Sequence, residues 1–568
     1  MSILIKTVRI AGFRGLENIE VELEQTTVLT GMNNTGKTSF LKALQIALGN
    51  RQFVSQDDFF IKHNRCAENI TIDVLIVPID ADGKQSEDFS EDWEVLLTTD
   101  RIRTDGIKHF SPLRTSVTFD TIKNSYKVQQ TILNKWPTIK MGEIDWFNAD
   151  NGKKTRFRFD ELPFFYMDAQ RDILEDTKVR GSYLGKMLSK IEYSADDIQA
   201  IEQQIEQLND KAVSSSDILS HIKTTLKGLD SALENTSSGV ELTPFTKKIR
   251  DLNKGLTIYY GDSQDSFSME YHGMGTRSWS SLLTLKSFIG LLAGNAKKEK
   301  TVFLPILAIE EPEAHLHPNA QKQLYNQISS IEGQKIISTH SPYIAAVAEL
   351  GQIRNFYKEQ KVSCGKVAVD TLTDEWKWKI KRQVVSSRGE IFFSKLLVFF
   401  EGETEEQALP ILAQHYFGKS AVEMGIDFVG VGGYNYLPFL IFAESLNIPW
   451  LILSDAETNI KARVIKQFVV CGSSKTENDV LVFLDDGNNL EKQLIKDGFL
   501  EEIRKSIATL IIYDNSKHKK NKELQKIKEI EQYSEDVLCA KITKHKTRFA
   551  PVIAEQIVKS GKVLPRGF

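Results

Sequence analysis

Several stretches of this chain combine residues that can do chemistry. Gly31-Met-Asn33-Asn34-Thr35-Gly36-Lys37-Thr38, with Ser39 behind it, has the GxxxxGK[ST] spacing. Glycines let a backbone wrap phosphates, whose charge is met by N–H groups and a helix N-terminus. In such a loop Lys37 reaches the β- and γ-phosphates and the Thr38 hydroxyl binds Mg2+. Leu304 to Ile309 is apolar except for Pro305, and Glu310 and Glu311 follow at once. A strand covered on both faces of a parallel sheet reads as such a run, and ligands bind beyond the carboxyl ends of these strands. There Glu310 can reach a metal through its water shell while Glu311 polarises an attacking water. A further strand, Gln334–Ser338, ends in Thr339-His340-Ser341-Pro342, where His340 can contact a γ-phosphate and report its hydrolysis.

A second acidic constellation lies further on. Lys395–Phe400 reads as a strand, followed by Glu401-Gly402-Glu403-Thr404-Glu405 and a helix, Gln407–His415. The strand Ile426–Val431 ends in Gly432-Gly433, a helix pattern runs over Leu437–Leu446, and the strand Pro449–Leu453 ends in Ser454-Asp455-Ala456-Glu457. Strands alternating with helices imply a small parallel sheet. Its strand ends place Glu401, Glu405, Asp455 and Glu457 together. Four acids that close need cations to neutralise them, and an all-oxygen cluster suits Mg2+ or Mn2+. Paired metals stabilise the attacking and leaving oxygens of a phosphodiester displacement. Beyond them stand Glu491 and two lysine runs, Lys517–Lys528 and Lys541–Arg548, before an apolar helix over Ala550–Val558. The first run alternates with glutamates like a solvated helix face. The second either holds DNA phosphates or only caps a helix.

The elements that position these groups read as follows. Residues 1–30 hold two strand-like runs around Ala11–Asn18, the second spanning Ile19–Thr30, and an apolar helix pattern starts at Phe40. Residues 70–165 carry β-like segments at Ile70–Ile79, Trp93–Thr99, Thr115–Phe119 and Thr155–Phe159, which predict an antiparallel lobe inserted after that helix. Leu162–Met167 is a strand ending in Asp168-Ala-Gln170; a Gln there either senses the nucleotide metal or belongs to a polar turn. Over 176–255, apolar residues at helical spacing (Ile198, Ile201, Ile205, Leu208; Ile218, Ile222, Leu226, Leu229, Leu233) predict a helical hairpin, with turns at Val213–Ser216 and Ser237–Gly239. It either mediates dimerisation or packs on its own lobe. Gly273-Met-Gly275-Thr276-Arg277-Ser278 opens the apolar helix Leu282–Leu292, a geometry that offers N–H groups to an anion. Residues 356–394 read as a charged linker with a helix.

Composition sets the bounds. At 568 residues the chain exceeds one core, and 41% apolar with 26% charged is ordinary for a globular protein. Apolar runs stay short of a membrane span, the longest, Ser281–Gly294, being broken by Lys286. The start alternates like a strand, not a signal peptide. Cys66, Cys364, Cys471 and Cys539 are scattered, which fits a reducing cytoplasm and argues against structural zinc. With a net charge of −4, nucleic acid would be met by local patches.

In this order the motifs resemble one family over almost the whole chain: the OLD (overcoming lysogenisation defect) nucleases, which join an ABC-type ATPase to a C-terminal Toprim nuclease. The resemblance implies an α/β fold: an ABC-type P-loop ATPase with a β lobe and helical insertion, then a Toprim α/β domain. It divides the chain into 1–175 and 256–355 (ATPase), 176–255 (helical insertion), 356–394 (linker) and 395–568 (Toprim). Gly31–Thr38 matches Walker A, Ile306–Glu311 Walker B with Glu311 as general base, Glu313–Pro318 the D-loop, His340 the switch histidine and Gln170 the Q-loop. Gly273–Ser278 stands where the ABC signature belongs but departs from LSGGQ. In the Toprim part Glu401, Glu405, Asp455, Glu457 (in place of the second aspartate of DxD) and Glu491 match metal ligands, and Lys546 or Lys544 the lysine at the scissile phosphate. The implied function is an ATP-regulated DNA endonuclease in antiviral defence. ATP and Mg2+ are implied as cofactors, with Mn2+ or Ca2+ as alternatives at the Toprim site. The implied partners are DNA, a homodimer or tetramer and, in some systems, a UvrD-like helicase, with no membrane. The rival reading is a non-cleaving DNA-binding ATPase like RecF or SMC proteins, its Toprim unit a scaffold.

Overall fold

The first thirty residues divide between two sheets at a point that hydropathy does not mark. In the computed structural model, which describes residues 2–49, 53–63, 65–137, 146–148, 152–178, 182–188, 194–226, 259–260, 267–485, 487–510 and 519–565, the run Ile19–Thr30 is two strands. Leu16–Glu22 pairs antiparallel with Ser2–Phe13, whereas Thr26–Thr30 joins a different, mostly parallel sheet. The turn between them is held by Thr27, whose hydroxyl accepts from Glu24 N at 2.9 Å.

The first sheet is the predicted β lobe, with a different make-up. Its order is Lys153–Thr155, Ser125–Ile132, His109–Asp120, Asn69–Ile79, Ser2–Phe13, Leu16–Glu22, with Arg103–Thr104 also on His109–Asp120. Two of its strands therefore precede the helix Lys37–Ala47, so the lobe is not simply inserted after it. Trp93–Thr99 is not a strand: Glu91–Leu97 is helical, with three acids in its first turn and Trp93 and Leu97 buried one turn apart. The expected strand Thr155–Phe159 is displaced to Lys153–Thr155. Inside the lobe, Asp73 and Arg114 form a bidentate ion pair, both bonds 2.7 Å, on facing strands.

The second sheet runs Phe164–Met167, Ile306–Glu310, Gln334–Ser338, Thr26–Thr30, Ile353–Lys358, Val362–Gly365, all parallel except the last. Its three central strands are buried at every residue. The Gln334 side chain stitches the sheets together, accepting from Ile5 N at 2.9 Å and donating to Ile5 O at 2.8 Å. Its outer strands correct the expected linker: residues 353–365 are sheet, and 356–394 continues through a helix, Asp374–Lys379, a π-helical turn, Ile380–Val385, and a short 3-10 segment, Gly389–Phe393. Ile380, Val384, Val385, Ile391 and Phe392 are buried in one continuous core with both the second sheet and the third sheet. That third sheet, Ile426–Gly430, Leu396–Phe400, Trp450–Ser454, Leu481–Phe483, is entirely parallel.

Within the helical segment, the short helix Tyr183–Leu188 is followed by Ala195–Ser214 and Asp217–Leu226, the last two turning at Ser215 and Ser216. Leu229, Leu233 and Ser237–Gly239 lie outside the described residues. The apolar helix is longer than expected, Met274–Glu299. Among the described residues no helix is long and apolar enough to cross a membrane.

Removing one partner of a buried ion pair strands the other charge. Asp73→Ala is expected to lower unfolding free energy by about 3–5 kcal/mol, whereas Asp73→Leu combined with Arg114→Met costs far less. Urea denaturation of both variants checks this, and equal losses would contradict it.

Candidate active sites

Four strand ends of the second sheet meet at one edge, and each delivers one group. Thr26–Thr30 leads into Gly31, whose φ of +120° and tight fit leave no room for a side chain: a Cβ would lie 2.1 Å from Phe356 O. Asn33 and Asn34 are exposed at the loop tip, Thr35 donates to Met32 O at 2.8 Å, and Gly36, at φ +94°, caps the helix that carries Thr38 and Ser39. The Lys37 ammonium bonds Gly31 O at 2.7 Å and Met32 O at 2.9 Å. Burial pushes Lys37 down to about 8, against the opposing pull of Glu311, Glu313 and Glu310, so incoming phosphates restore its full charge.

Glu310 ends the buried strand Ile306–Glu310 and is 7% exposed. Its two oxygens are each met by a hydroxyl: Thr38 donates to Oε1 and Tyr166 to Oε2. Burial and the Glu310 carboxylate together raise the Tyr166 phenol far above its ordinary range, so it stays a donor. Glu311 has a φ of +41°, a left-handed conformation worth about 1–3 kcal/mol of strain in a non-glycine residue. Its N–H donates to Ser338 O at 2.9 Å, and Arg171, 7% exposed, donates to the carbonyls of Glu310 and Glu311 at 3.4 Å and to that of Pro312. These bonds hold the twist that turns Glu311 outward.

His340 Nε2 lies 3.7 Å from Glu311 Oε1. Burial, aided by the Lys37 charge, lowers His340 to about 4, so it is a neutral imidazole at physiological pH. The buried Glu313 fixes its backbone, accepting from His340 N at 2.6 Å and Thr339 Oγ1 at 2.8 Å. Gln170 is exposed in the loop after Phe164–Met167, its N–H bonded to Asp168 Oδ1 at 3.1 Å. Gly273 caps the helix Met274–Glu299, and Gly275 abuts the Glu313–Pro318 loop, where a Cβ would lie 2.5 Å from His315 O.

The third sheet repeats the arrangement. Glu401 follows the strand Leu396–Phe400, Asp455 follows Trp450–Ser454, Glu405 lies in the first turn of helix Glu403–Phe417, and Glu491 lies in helix Leu490–Lys496. Glu491 is 3% exposed and faces Lys546 Nζ at 3.2 Å. Burial, then Glu401, Glu405 and Glu491, push Asp455 up to about 8, and its carboxyl bonds that of Glu401. Burial, Glu401 and Glu491 likewise push Glu405 up to about 7. Although burial works against it, Lys546 is raised by Glu491, Asp455 and Glu405. Tyr434, beyond Gly432 and Gly433, donates its hydroxyl to Glu401. Four carboxylates, two of them able to ionise at neutral pH only with help, form a hard-oxygen donor set that fits a divalent cation. Among the described residues no three His, Cys, Asp or Glu groups already stand close enough to hold one metal ion.

The structure thus brings Glu401, Glu405, Asp455, Glu491 and Lys546 together. Glu457 is exposed at the N-cap of helix Thr458–Cys471, where its charge reaches Tyr434, and Lys544 is exposed at the end of helix Glu535–Lys544. Tyr166, Arg171 and Tyr434 are neighbours of these groups that sequence reading missed, while Glu313 was read only as the start of the D-loop match. For Tyr166 and Tyr434 a signal existed: a phenol in an apolar strand, or just past a glycine pair at a strand end, needs a hydrogen-bond partner.

Residues 4–345 match the family model described as AAA ATPase domain, and residues 392–456 match the overcoming lysogenization defect protein-like TOPRIM domain. The OLD nuclease of Thermus scotoductus is 23% identical over 491 residues, spanning 80% of this chain and 82% of that protein. Endonuclease GajA of Bacillus cereus (strain VD045) is 24% identical, spanning 80% and 75%. Old nuclease of Escherichia phage P2 is 23% identical, spanning 94% and 91%.

Two outcomes follow. Tyr166→Phe removes one donor to Glu310 and should raise the Mg2+ concentration needed for ATP hydrolysis roughly 10–100-fold, with nucleotide binding retained; an unchanged Mg2+ titration would refute the role. Asp455 and Glu405 are raised above the ordinary carboxylate value of about 4, so their contribution to stability is fully present below about pH 4 and is lost progressively as pH rises from there to the folded values of about 7 and 8. The Tm of the protein stripped of divalent cations should therefore fall over that window, and either Mg2+ or Asp455→Asn should flatten the decline.

Proposed function

We propose, from the premise that this chain belongs to the AAA ATPase domain family and carries an overcoming lysogenization defect-like TOPRIM domain behind it, that it is an ATP-hydrolysing DNA endonuclease whose nucleotide state gates cleavage in antiviral defence. The observation that carries this reading is the convergence of Glu401, Glu405, Asp455 and Glu491 on Lys546 in the same chain as a complete phosphate-binding edge. Relatives named as nucleases over three quarters or more of their length support it.

In the ATPase, Lys37 neutralises the β/γ-phosphates and Thr38 with Glu310 binds the nucleotide's Mg2+. Glu311 accepts a proton from the attacking water, and neutral His340 donates its N–H toward the γ-phosphate. Two copies would sandwich ATP between Gly31–Thr38 of one and Gly273–Ser278 of the other. Gln170 would sense the nucleotide metal, and the helical segment 176–255 would take part in pairing the copies.

At the Toprim site Glu401, Glu405 and Asp455 would hold Mg2+ or Mn2+, with Glu491 behind them and Glu457 swinging in from the rim. The bound cation supplies stabilisation of the attacking and leaving oxygens of a phosphodiester. Lys546, kept protonated by the acids around it, faces the scissile phosphate. The protein acts in the cytoplasm on DNA, and a UvrD-like helicase is the partner to look for.

Plasmid cleavage with Mg2+ or Mn2+, with and without ATP, tests this on the wild type, Glu401→Ala and Glu311→Gln. The wild type should nick or cut DNA, Glu401→Ala should lose cleavage while still hydrolysing ATP, and Glu311→Gln should bind ATP without turnover. ATP hydrolysis with no DNA cleavage under any cation would replace the nuclease by a scaffolding DNA-binding ATPase.

A further inference from the structure

The proposed gating needs a physical path between the two sites, and the connector that replaced the expected linker supplies one. It touches the γ-phosphate side at three places. Phe393 lies with its ring centroid 6.0 Å from that of His340. Gly389 is pressed so closely on the first residue of helix Pro342–Val347 that a Cβ there would lie 2.1 Å from Pro342 O. Lys381 in the π-helical turn donates to the carbonyls that end the same helix, Ala346 at 3.2 Å, Val347 at 3.0 Å and Ala348. That short helix starts two residues after His340, so it cannot shift without moving the connector. π-helical turns inside helices recur at functional sites.

On the nuclease side the connector makes one polar contact at the site's rim. Arg388, half-buried, donates to Gly430 O at 3.2 Å. Gly430 is the last residue of the strand Ile426–Gly430, and the chain then wraps Glu401: Val431 N donates to Phe400 O and Gly433 N to Glu401 O, each at 2.9 Å, and the Tyr434 hydroxyl reaches the Glu401 carboxylate. Gln467 holds this loop, donating to Tyr434 O at 2.8 Å and accepting from Leu437 N at 2.9 Å. Gly432 and Gly433, at φ +70° and +94°, let it pivot.

We propose that Arg388 is the positioning residue through which nucleotide state reaches the metal-ligating Glu401, by way of the His340 loop, helix Pro342–Val347, the connector 380–393 and the loop 431–434. This rests on the gating reading above and names its route. Helix Pro342–Val347 and the connector move as one packed body. Arg388 pulls on Gly430 O, and the pivoting loop changes the position of Glu401. A second seam exists on the other side of the phosphate loop: Asn355 accepts from Thr30 Oγ1 at 3.1 Å and donates to Leu446 O at 2.8 Å. It joins the ATPase to the far end of the third sheet, away from Glu401, and serves as the control.

The test uses the full chain with Mg2+ and a non-hydrolysable ATP analogue. Hydrogen–deuterium exchange is followed over 426–436, and DNA cleavage is measured in parallel with and without nucleotide, for the wild type, Arg388→Ala, Arg388→Lys, Lys381→Met and Asn355→Ala. The wild type should show nucleotide-dependent protection over 426–436 and a nucleotide effect on cleavage of roughly 5–150-fold, the usual span of allosteric coupling. Arg388→Ala and Lys381→Met should abolish both responses while ATP hydrolysis and nucleotide-free cleavage persist, and Arg388→Lys should restore part of them. The proposal is overturned if the wild type shows no nucleotide response over 426–436, if Arg388→Ala keeps it, or if Asn355→Ala alone removes it. Should no variant, including the wild type, cut DNA, loss of the exchange response in Arg388→Ala still supports the route, while the nuclease reading fails separately.

Discussion

A carboxylate at the end of a fully buried strand has little water to solvate it, so it must be met by donors from elsewhere. Glu310 sets this demand, and much of the ATPase is arranged around meeting it. Thr38 comes from the phosphate loop, 272 residues away in sequence, and Tyr166 from the neighbouring strand. Arg171 binds the backbone that follows, and Glu313 turns back to hold the His340 loop. Each is useful only because the parallel registers of four strands bring their carboxyl ends level. The strained φ of Glu311 belongs to the same set, since the turn that lifts it out of the sheet is held from both sides.

The third sheet meets the same problem differently. Here the acids outnumber their donors. Asp455 and Glu405 respond by holding protons, Glu491 by pairing with Lys546, and Glu401 by bonding Tyr434. That state is poised for a divalent cation, because neutralising the cluster releases protons and repulsion together. Lys546 arrives from the start of a helix, Lys546–Ser560, which packs on Glu403–Phe417 and so brings the C-terminal lysine against the first strand's acids.

Between the two sites there is no soft linker. Residues 353–365 complete the ATPase sheet, and 380–392 fill a core shared with the third sheet. Charged residues such as those of Trp376–Arg382 made this region read as a linker with a helix, yet Lys381 places its charge on three carbonyls at a helix end, a common way for a lysine to sit inside a structure.

Much of this was legible in the chain itself. The phosphate loop, the strands Ile306–Glu310 and Gln334–Ser338, and three of the third sheet's four strands with their acids are local patterns: apolar runs closed by residues whose chemistry is written beside them. The fourth strand, Leu481–Phe483, is three residues long and leaves no such pattern. Local pattern could not separate Leu16–Glu22 from Thr26–Thr30, because both are short stretches of mixed polar and apolar residues and only pairing assigns them to different sheets. It misread Glu91–Leu97, where aromatic and β-branched residues outweighed a good acidic helix start. The sequence alone determined which residues carry charge, a glycine-rich loop suited to phosphate and carboxylate oxygens suited to a cation, since those are properties of residue types and short spacing. Which of them share a site was decided only by the tertiary structure. Glu491 facing Lys546, Tyr166 on Glu310, Glu457 left at the rim and Arg388 reaching Gly430 are long-range meetings, set by strand register and core packing rather than by any neighbour in sequence.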